Sequence, residues 1–303
     1  MPMTTRDDSP QTTKRHLFFA LWLSSVLLLF GRSSAADLKD STLWGAAGTN
    51  AHGGTTISEK RDSASSAFQS TKCAGVYAGH LQGICTDERD AIYWSWTDTL
   101  VKTDARGHVL KQVKVAKHHG DLCFHDGKVF VAVNLGQFNL PAGHEDSWVF
   151  VYDADTLAEL ARHRVPEVVH GAGGIGYHDG RFVVVGGLPV GVKENYLYEY
   201  DTKFAFQQQH VLASGYTLMG IQTAAFANGA WWFGCYGVPA VLLRADPRFQ
   251  LTGRWQFDAA LGIVGVADGR FLIGQNSFAR SGGYEGRAAL ARPDAEKGLV
   301  FEP

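Results

Sequence analysis

The chain has no stripe of basic residues of the kind that binds nucleic acid. A protein that binds phosphates releases counterions with clustered lysine and arginine, and no such run follows residue 36. Of its 28 basic and 30 acidic side chains, 4 and 2 respectively lie in residues 1–36, which leaves a formal charge of −4 for the remainder. These features exclude nucleic acid as a partner.

Long apolar segments are also scarce, and the only long run is Leu17–Phe30. Its 14 residues fall short of the roughly 20 that cross a bilayer as a helix. It follows Lys14 and Arg15 and precedes small residues suited to cleavage after Ala35 or Ala36, which is the pattern of a secretory signal. The sequence therefore predicts a signal peptide over 1–36, a secreted or periplasmic protein, and no membrane attachment after cleavage. An uncleaved anchor is the alternative.

Cysteine is rare, and its spacing matches neither a CxxC redox motif nor a zinc ribbon. This argues against thiol chemistry. The even number of cysteines in an oxidising compartment allows one or two disulfides, whose pairing the sequence leaves open. The four residues are Cys73, Cys85, Cys123 and Cys235.

Common catalytic motifs are missing as well. The sequence contains no GxSxG elbow, HExxH helix, P-loop, or GxGxxG followed by a helix. The sequence therefore gives little support to the reaction classes built on those motifs, and no reaction can be named from motifs alone.

A repeat of strand-length apolar runs begins at Cys73 and continues to Pro303. The preceding residues 37–72 are rich in Ser, Thr, Gly, Ala and Lys, which predicts a disordered spacer. Within the repeat, an aspartate ends an apolar run and opens a turn five times, at intervals of 45 to 49 residues. These residues are Asp104, Asp153, Asp201, Asp246 and Asp294.

Each repeat also contains an apolar run that is closed by a tight turn. Four of the five copies carry Asp-Gly or Asn-Gly, a strong hairpin signal because both central residues of a type I′ turn need a positive φ. Each repeat therefore contains four strands, A to D. Five such repeats predict an all-β protein, a five-bladed β-propeller over 73–303. A sixth blade built from 37–72 is the alternative.

The repeat resembles the β-propeller superfamily, and HLQGI at 80–84 is similar to the start of inner strands in NHL-type and plant-type glutaminyl cyclase propellers. The resemblance implies the propeller fold. Those cyclases carry an inner-strand glutamate in a GEGL-like context in the second blade. Here the stretch is HGDL, with Gly120 in place of the acid and Asp121 one residue later, where a strand side chain points to the opposite face. This departure argues against a shared cyclase activity.

Three histidines precede inner strands and provide a candidate site. In such a blade, the loop entering strand A and the loop joining B to C lie on one face of the ring, here called the upper face. His80, His118 and His170 each stand four or five residues before an inner-strand aliphatic side chain, so we expect them at the upper mouth of the channel. Three imidazoles can bind one divalent transition metal and leave a position for water.

Carboxylates are expected beside these histidines. Asp121 begins the second inner strand, and the long loop 134–147 carries a His-Glu-Asp triplet. The B to C loops of blades 3 and 5 add Lys193, Glu194, Arg280 and Glu285. The predicted catalytic carboxylates are Asp121 and Glu145, and the predicted ligand-binding residues are His119, His144 and Asp146.

Three roles remain open for the imidazoles: metal binding, metal-free acid-base catalysis, and hydrogen bonding to main-chain carbonyls around a solvated channel. The sequence accordingly predicts a monomer that binds a small molecule or an extracellular protein on its upper face. A metal-assisted hydrolase or lyase is the alternative.

Overall fold

Every regular element of the described chain is a β-strand. The structure, a computed structural model, describes residues 68–303. This part of the chain contains no helix that could cross a membrane. The strands are β1 (Thr71–Tyr77), β2 (Leu81–Thr86), β3 (Ala91–Trp96), β4 (Thr99–Asp104), β5 (Val109–Lys114), β6 (His119–His125), β7 (Lys128–Asn134), β8 (Ser147–Asp153), β9 (Glu159–Arg164), β10 (Ala172–His178), β11 (Arg181–Gly186), β12 (Asn195–Asp201), β13 (Phe206–Leu212), β14 (Leu218–Ala227), β15 (Ala230–Tyr236), β16 (Val241–Ala245), β17 (Leu251–Gln256), β18 (Ile263–Gly265), β19 (Phe271–Phe278), β20 (Tyr284–Asp294) and β21 (Gly298–Phe301).

Consecutive antiparallel strands form the first four blades. Blade 1 is β2–β5, blade 2 is β6–β9, blade 3 is β10–β13 and blade 4 is β14–β17. The first strand of each blade contacts the first strands of both neighbouring blades, and β18 of blade 5 contacts β14 and β2. These inner strands therefore form a closed ring, which confirms the predicted five-bladed β-propeller.

Blade 5 is completed by segments from both ends of the described chain. Its β18, β19 and β20 pair in order, and the long β20 then pairs with two further strands. Its first half pairs with β1, where Cys73 lies opposite Gly286, and its second half pairs with β21. The propeller thus includes Thr71 and Lys72, just ahead of the predicted boundary. The predicted signal peptide and most of the predicted spacer lie outside the described residues.

The A to B and C to D turns lie on the opposite face of the ring, here called the lower face. They adopt the conformations that the sequence predicts. Asp126 and Gly127 have φ angles of 48° and 68°, so both central residues are left-handed, as a type I′ turn requires. In the C to D turn of blade 2, Asp153 Oδ1 accepts hydrogen bonds from the main-chain N–H groups of Asp155 and Thr156. The other four repeat aspartates accept main-chain N–H groups in the same way.

Large side chains fill the layers between blades. Trp94 and Trp96 are fully buried, and Trp231 and Trp232 nearly so, which fits the predicted core. Trp148 is half-buried at the edge of its cluster.

All four cysteines are buried and free, so the disulfides that the sequence allows are not formed. Each thiol belongs to a different one of the apolar clusters between blades. They act as small apolar side chains. Burial raises the pKa of Cys235 to about 12, so its thiol stays protonated.

Candidate functional site

Asp121, the predicted general base at the channel mouth, is fully buried at the centre of the ring. Its Oδ2 accepts a hydrogen bond of 3.0 Å from the main-chain N–H of Ala224 in blade 4. Its Oδ1 has no hydrogen-bond partner within residues 68–303. Burial raises the pKa of Asp121 well above its usual range, which favours the neutral acid.

A β-bulge accounts for this placement. The register between β6 and β7 shifts between His119 and Leu122, which changes the direction of the intervening side chains. Gly83 of blade 1 leaves room for the carboxyl, because a Cβ at that position would collide with Asp121. An acid that solvent does not reach is poorly placed to act as a general base, and Asp121 instead joins blades across the axis.

His119 is buried too, and both of its ring nitrogens have partners. Nδ1 donates to the carbonyl of Ala116 at 2.7 Å, which leaves Nε2 to accept from the Tyr152 hydroxyl, also at 2.7 Å. Burial, as the main cause, lowers the pKa of His119 to about 4. These contacts fix the entry to β6 and leave no ring nitrogen for a ligand.

The three histidines of the predicted metal site are only partly brought together. His80 and His118 are close enough for the charge of His118 to contribute, after burial, to the lowered pKa of His80. His170 is held in blade 3, because its Nδ1 donates to the carbonyl of Leu140 at 3.0 Å and its ring stacks on Tyr196. Within residues 68–303, no three His, Cys, Asp or Glu side chains converge as a metal-binding group. The predicted arrangement of three imidazoles is therefore not formed.

The long loop of blade 2 folds onto blade 3. The ring of Phe138 lies close to Gly171 and Gly173, where any side chain would meet it. The N–H of Asn139 donates to the carbonyl of His170 at 2.9 Å, and Asn139 Oδ1 accepts the N–H of Leu188 at 2.8 Å. This loop therefore covers the inner strand of blade 3 on the upper face.

The His-Glu-Asp triplet lies at the end of that loop. His144 is exposed, and Glu145 Oε2 accepts the N–H of Gly143 at 2.7 Å. Asp146 Oδ1 accepts the indole N–H of Trp148 at 2.9 Å. Both carboxylates therefore have partners within blade 2, and neither is bonded to the histidines at the channel mouth.

A cleft of about 570 Å³ lies on the upper face of blade 5. It is built by the upper ends of β19 and β20, by β1, and by the loop that enters β18. Three of its lining residues are not polar: Leu261, Gly274 and Gly286. Seven polar residues line it: Lys72, Asp258, Gln275, Asn276, Ser277, Glu285 and Arg287.

Strand pairing brings most of these side chains together. Arg287 of β20 lies opposite both Gln275 of β19 and Lys72 of β1, while Ser277 lies opposite Glu285. Alternate residues of a strand share one face of a sheet, so this face of blade 5 is polar near its upper end.

The cleft carries two cations and two anions. Lys72 Nζ and Glu285 Oε2 form an ion pair at 2.9 Å. Asp258 Oδ1 accepts the N–H of Ala260 at 3.1 Å. Within residues 68–303, the Arg287 side chain forms no hydrogen bond or ion pair. The guanidinium of Arg287 is therefore available to a ligand.

Of the side chains that line this cleft, sequence reasoning identified only Glu285. One usable signal is the polar run Gln275–Ser277, which follows the apolar first half of β19. The contribution of Lys72 has no local signal, because it depends on pairing between opposite ends of the described chain.

The sequence matches no protein-family model and no curated protein. In structure, the chain is similar to glutaminyl cyclase from Myxococcus xanthus, with a TM-score of 0.51 and 13% identity over 77% of this chain and 99% of that one. It is also similar to xylan β-1,4-xylosidase from Bacillus halodurans C-125, with a TM-score of 0.54 and 11% identity over 76% of this chain and 56% of that one. These similarities show the fold: the protein is a β-propeller, as the sequence resemblance implied.

Proposed function

We propose that this protein binds a small polar molecule in the blade 5 cleft. The observation that carries the proposal is an open cavity of about 570 Å³ lined by seven polar residues. Its volume falls in the range of about 300 to 1,000 Å³ that is usual for small-molecule sites. The sequence predicts that the upper face binds a small molecule or an extracellular protein, and the cleft lies on that face.

The setting of the cleft supports selective binding. Three lining residues, Gln275 to Ser277, belong to β19, and two more belong to its partner β20. Side chains on paired strands hold their positions better than side chains on free loops. Asn276 is fixed further, because its Oδ1 accepts the N–H of Leu81 in blade 1 at 3.0 Å.

We propose binding without turnover as the primary activity. Asp121 is closed off from ligands, and Glu145 accepts a hydrogen bond within its own loop. A metal-assisted hydrolase or lyase would need its base and metal ligands elsewhere in the chain. Incubation of bound molecules with the protein and added zinc or manganese would reveal turnover through the appearance of product.

The proposal can be tested with a variant that fills the cleft. A panel of neutral, anionic and cationic metabolites is screened by ligand-observed NMR against the wild-type protein and the variant Ser277→Trp. The side chain of Ser277 is exposed in the wild type, so the larger side chain can be accommodated. Thr252→Trp, at an exposed position on β17, is the matched control. We expect hits that bind the wild type and the control but not Ser277→Trp. No hits, or hits that Ser277→Trp still binds, would contradict the proposal.

A second candidate function is docking of an extracellular protein, and the distribution of exposed apolar side chains favours it. Such side chains within residues 68–303 lie either at the upper face or on outermost strands, and none lies in a lower-face turn. Val190 and Val238 are 90% and 91% exposed. Those of the upper face are Val76, Leu135, Leu140, Val190, Tyr216, Leu218, Met219, Val238 and Phe278.

This second candidate predicts that charge at the upper face prevents docking. A partner identified by cross-linking in the extracellular medium would be purified and its affinity measured. We expect Val190→Asp and Val238→Asp to abolish binding, whereas Leu110→Asp, at an exposed position on the outermost strand of blade 1, leaves it unchanged. Equal binding by all three variants would rule out this surface.

We also propose that the protein acts outside the cytosol as a monomer. The pattern of residues 1–36 supports secretion. Mass spectrometry of the exported protein should find a chain that begins at Ala36 or Asp37, and light scattering should give the mass of one chain. An intact N-terminus in the cytosolic fraction would contradict export.

A further inference from the structure

We infer that the ligand of the blade 5 cleft is a hydroxylated carboxylic acid with a single negative charge, such as a sugar acid. This inference rests on the proposed function and names the class of its ligand. It follows from the charges that line the cleft, from the partners those charges already have, and from the hydrogen-bonding groups beside them.

Arg287 is the group that selects an anion. It lines the cleft, it is exposed, and its side chain has no bonded partner within the described residues. A guanidinium offers a planar fork of N–H donors that matches the two oxygens of a carboxylate. A carboxylate is therefore the natural partner of this side chain.

The neighbouring strand strengthens this preference. Lys72 of β1 lies directly opposite Arg287 of β20, so two positive side chains are adjacent on one face of the sheet. Like charges in directly opposite positions destabilise strand pairing. Glu285 pairs with Lys72, and no carboxylate within residues 68–303 is bonded to Arg287. A ligand carboxylate would supply the partner that this guanidinium lacks.

The acidic residues of the cleft limit the charge of the ligand. Asp258 and Glu285 line the same cavity as Lys72 and Arg287, so the four formal charges cancel. A phosphate dianion on Arg287 would also face two carboxylates, whereas a carboxylate brings one negative charge. The balance of charges favours the monoanion.

The remaining groups favour hydroxyls on the rest of the ligand. Gln275 and Ser277 can each donate and accept hydrogen bonds, and Asp258 accepts. A hydroxyl group both donates and accepts, so it can satisfy either kind of partner.

Calorimetry with sugar acids tests the inference. D-glucuronate, D-galacturonate and D-gluconate are titrated into the wild-type protein, with D-glucose as the neutral match and D-glucose 6-phosphate as the dianion. Arg287→Gln removes the guanidinium, and Arg292→Gln is the control, since Arg292 is exposed on the same strand but does not line the cleft. Equal melting temperatures for the two variants establish that both are folded.

We expect at least one sugar acid to bind the wild type and Arg292→Gln at least tenfold more tightly than glucose or the phosphate. Loss of the charge-assisted bonds should weaken that binding by about tenfold or more in Arg287→Gln. The inference is overturned if no sugar acid binds, if glucose or the phosphate binds as well, or if Arg287→Gln has no effect.

The screen with Ser277→Trp tests whether the cleft binds small molecules at all, whereas these titrations test only the class of ligand. Neutral or cationic molecules that bind the wild type but not Ser277→Trp would keep the cleft as a binding site while overturning its preference for acids. If Ser277→Trp blocks no molecule of any charge, both the site and its ligand class are wrong.

Discussion

The carboxyl of Asp121 in blade 2 accepts a hydrogen bond from the main-chain N–H of Ala224 in blade 4 at 3.0 Å. These two blades are not neighbours in the ring, so the bond links inner strands across the axis. The carboxyl has no solvent exposure, and its second oxygen lacks a partner within residues 68–303. Asp121 therefore contributes to the closure of the ring and makes that closure depend on pH.

Asp121→Asn should make the protein more stable at neutral pH and flatten its pH dependence. The pKa of Asp121 in the folded state lies well above the value of about 3.9 expected in the unfolded chain. Its contribution to stability is complete below pH 4 and declines as the pH rises toward the folded-state pKa, by at most about 1.4 kcal/mol per pH unit. The amide keeps the acceptor for Ala224 and does not ionise.

The measurement is the free energy of unfolding in urea between pH 4 and 8. Glu296→Gln, in an exposed turn, serves as the control for loss of one carboxyl. Identical pH slopes in Asp121→Asn and the wild type would show that Asp121 does not titrate as expected.

Tyr152→Phe should destabilise the protein by about 1 to 3 kcal/mol, because it leaves Nε2 of the buried His119 without a hydrogen bond. Thermal unfolding at pH 7 measures the loss. Tyr216→Phe, at an exposed tyrosine, should change stability little. Equal melting temperatures for the two variants would mean that the bond to His119 contributes nothing.

The same histidine should weaken the fold in mild acid. Its folded-state pKa of about 4 lies below the value of about 6.5 expected when unfolded, so the unfolded chain takes up a proton first. The contribution of His119 is present above pH 6.5 and is lost as the pH falls toward 4. An NMR titration of the His119 ring should give a midpoint near 4, and a midpoint near 6.5 would contradict this account.

Tyr77→Ala should open the junction between β1 and blade 1. The ring of Tyr77 stacks on Trp96 with centroids 4.2 Å apart, and both side chains are buried. Removing a buried aromatic ring costs about 3 to 5 kcal/mol. Urea unfolding measures the change, with Val76→Ala, a neighbouring exposed position, as the control. A loss no larger than that of the control would mean that the stack of Tyr77 on Trp96 contributes nothing to holding β1.

Phe138→Ala should loosen the blade 2 loop without unfolding the ring. The half-buried Phe138 ring covers Gly171 and Gly173, and its loss removes the apolar contact of the loop with blade 3. Hydrogen exchange at the N–H of Asn139, which bonds to His170, should become faster. Leu140→Ala, at an exposed site on the same loop, is the control, and equal exchange in both variants would contradict the role of Phe138.

The fold could be predicted from the sequence because its signals are local. The Asp126-Gly127 turn and the Asp153 turn each depend on a few adjacent residues, and each recurs in other repeats. The positions of Asp121 and His119 could not be predicted in the same way. A β-bulge in β6 interrupts the alternation of side chains, and burial then determines the protonation of both residues.

The cleft could not be predicted for a different reason. Lys72 and Arg287 face each other because β1 pairs with β20, and nothing in either segment specifies the other. His170 shows the same limit, since a carbonyl of the blade 2 loop holds its ring in blade 3.

The split outer edge of blade 5 gives the cleft a mechanical role. Lys72 belongs to β1, the first strand of the described residues, whereas Arg287 belongs to β20. The two strands are held together by main-chain pairing, side-chain packing and the Lys72–Glu285 ion pair. A ligand that contacts both residues would bind best when β1 is paired with β20, so it would stabilise that pairing. Pulling on β1 would therefore promote release of the ligand, and bound ligand would resist separation of the two strands. Occupancy of the cleft and the force needed to peel β1 away would then report on the same event.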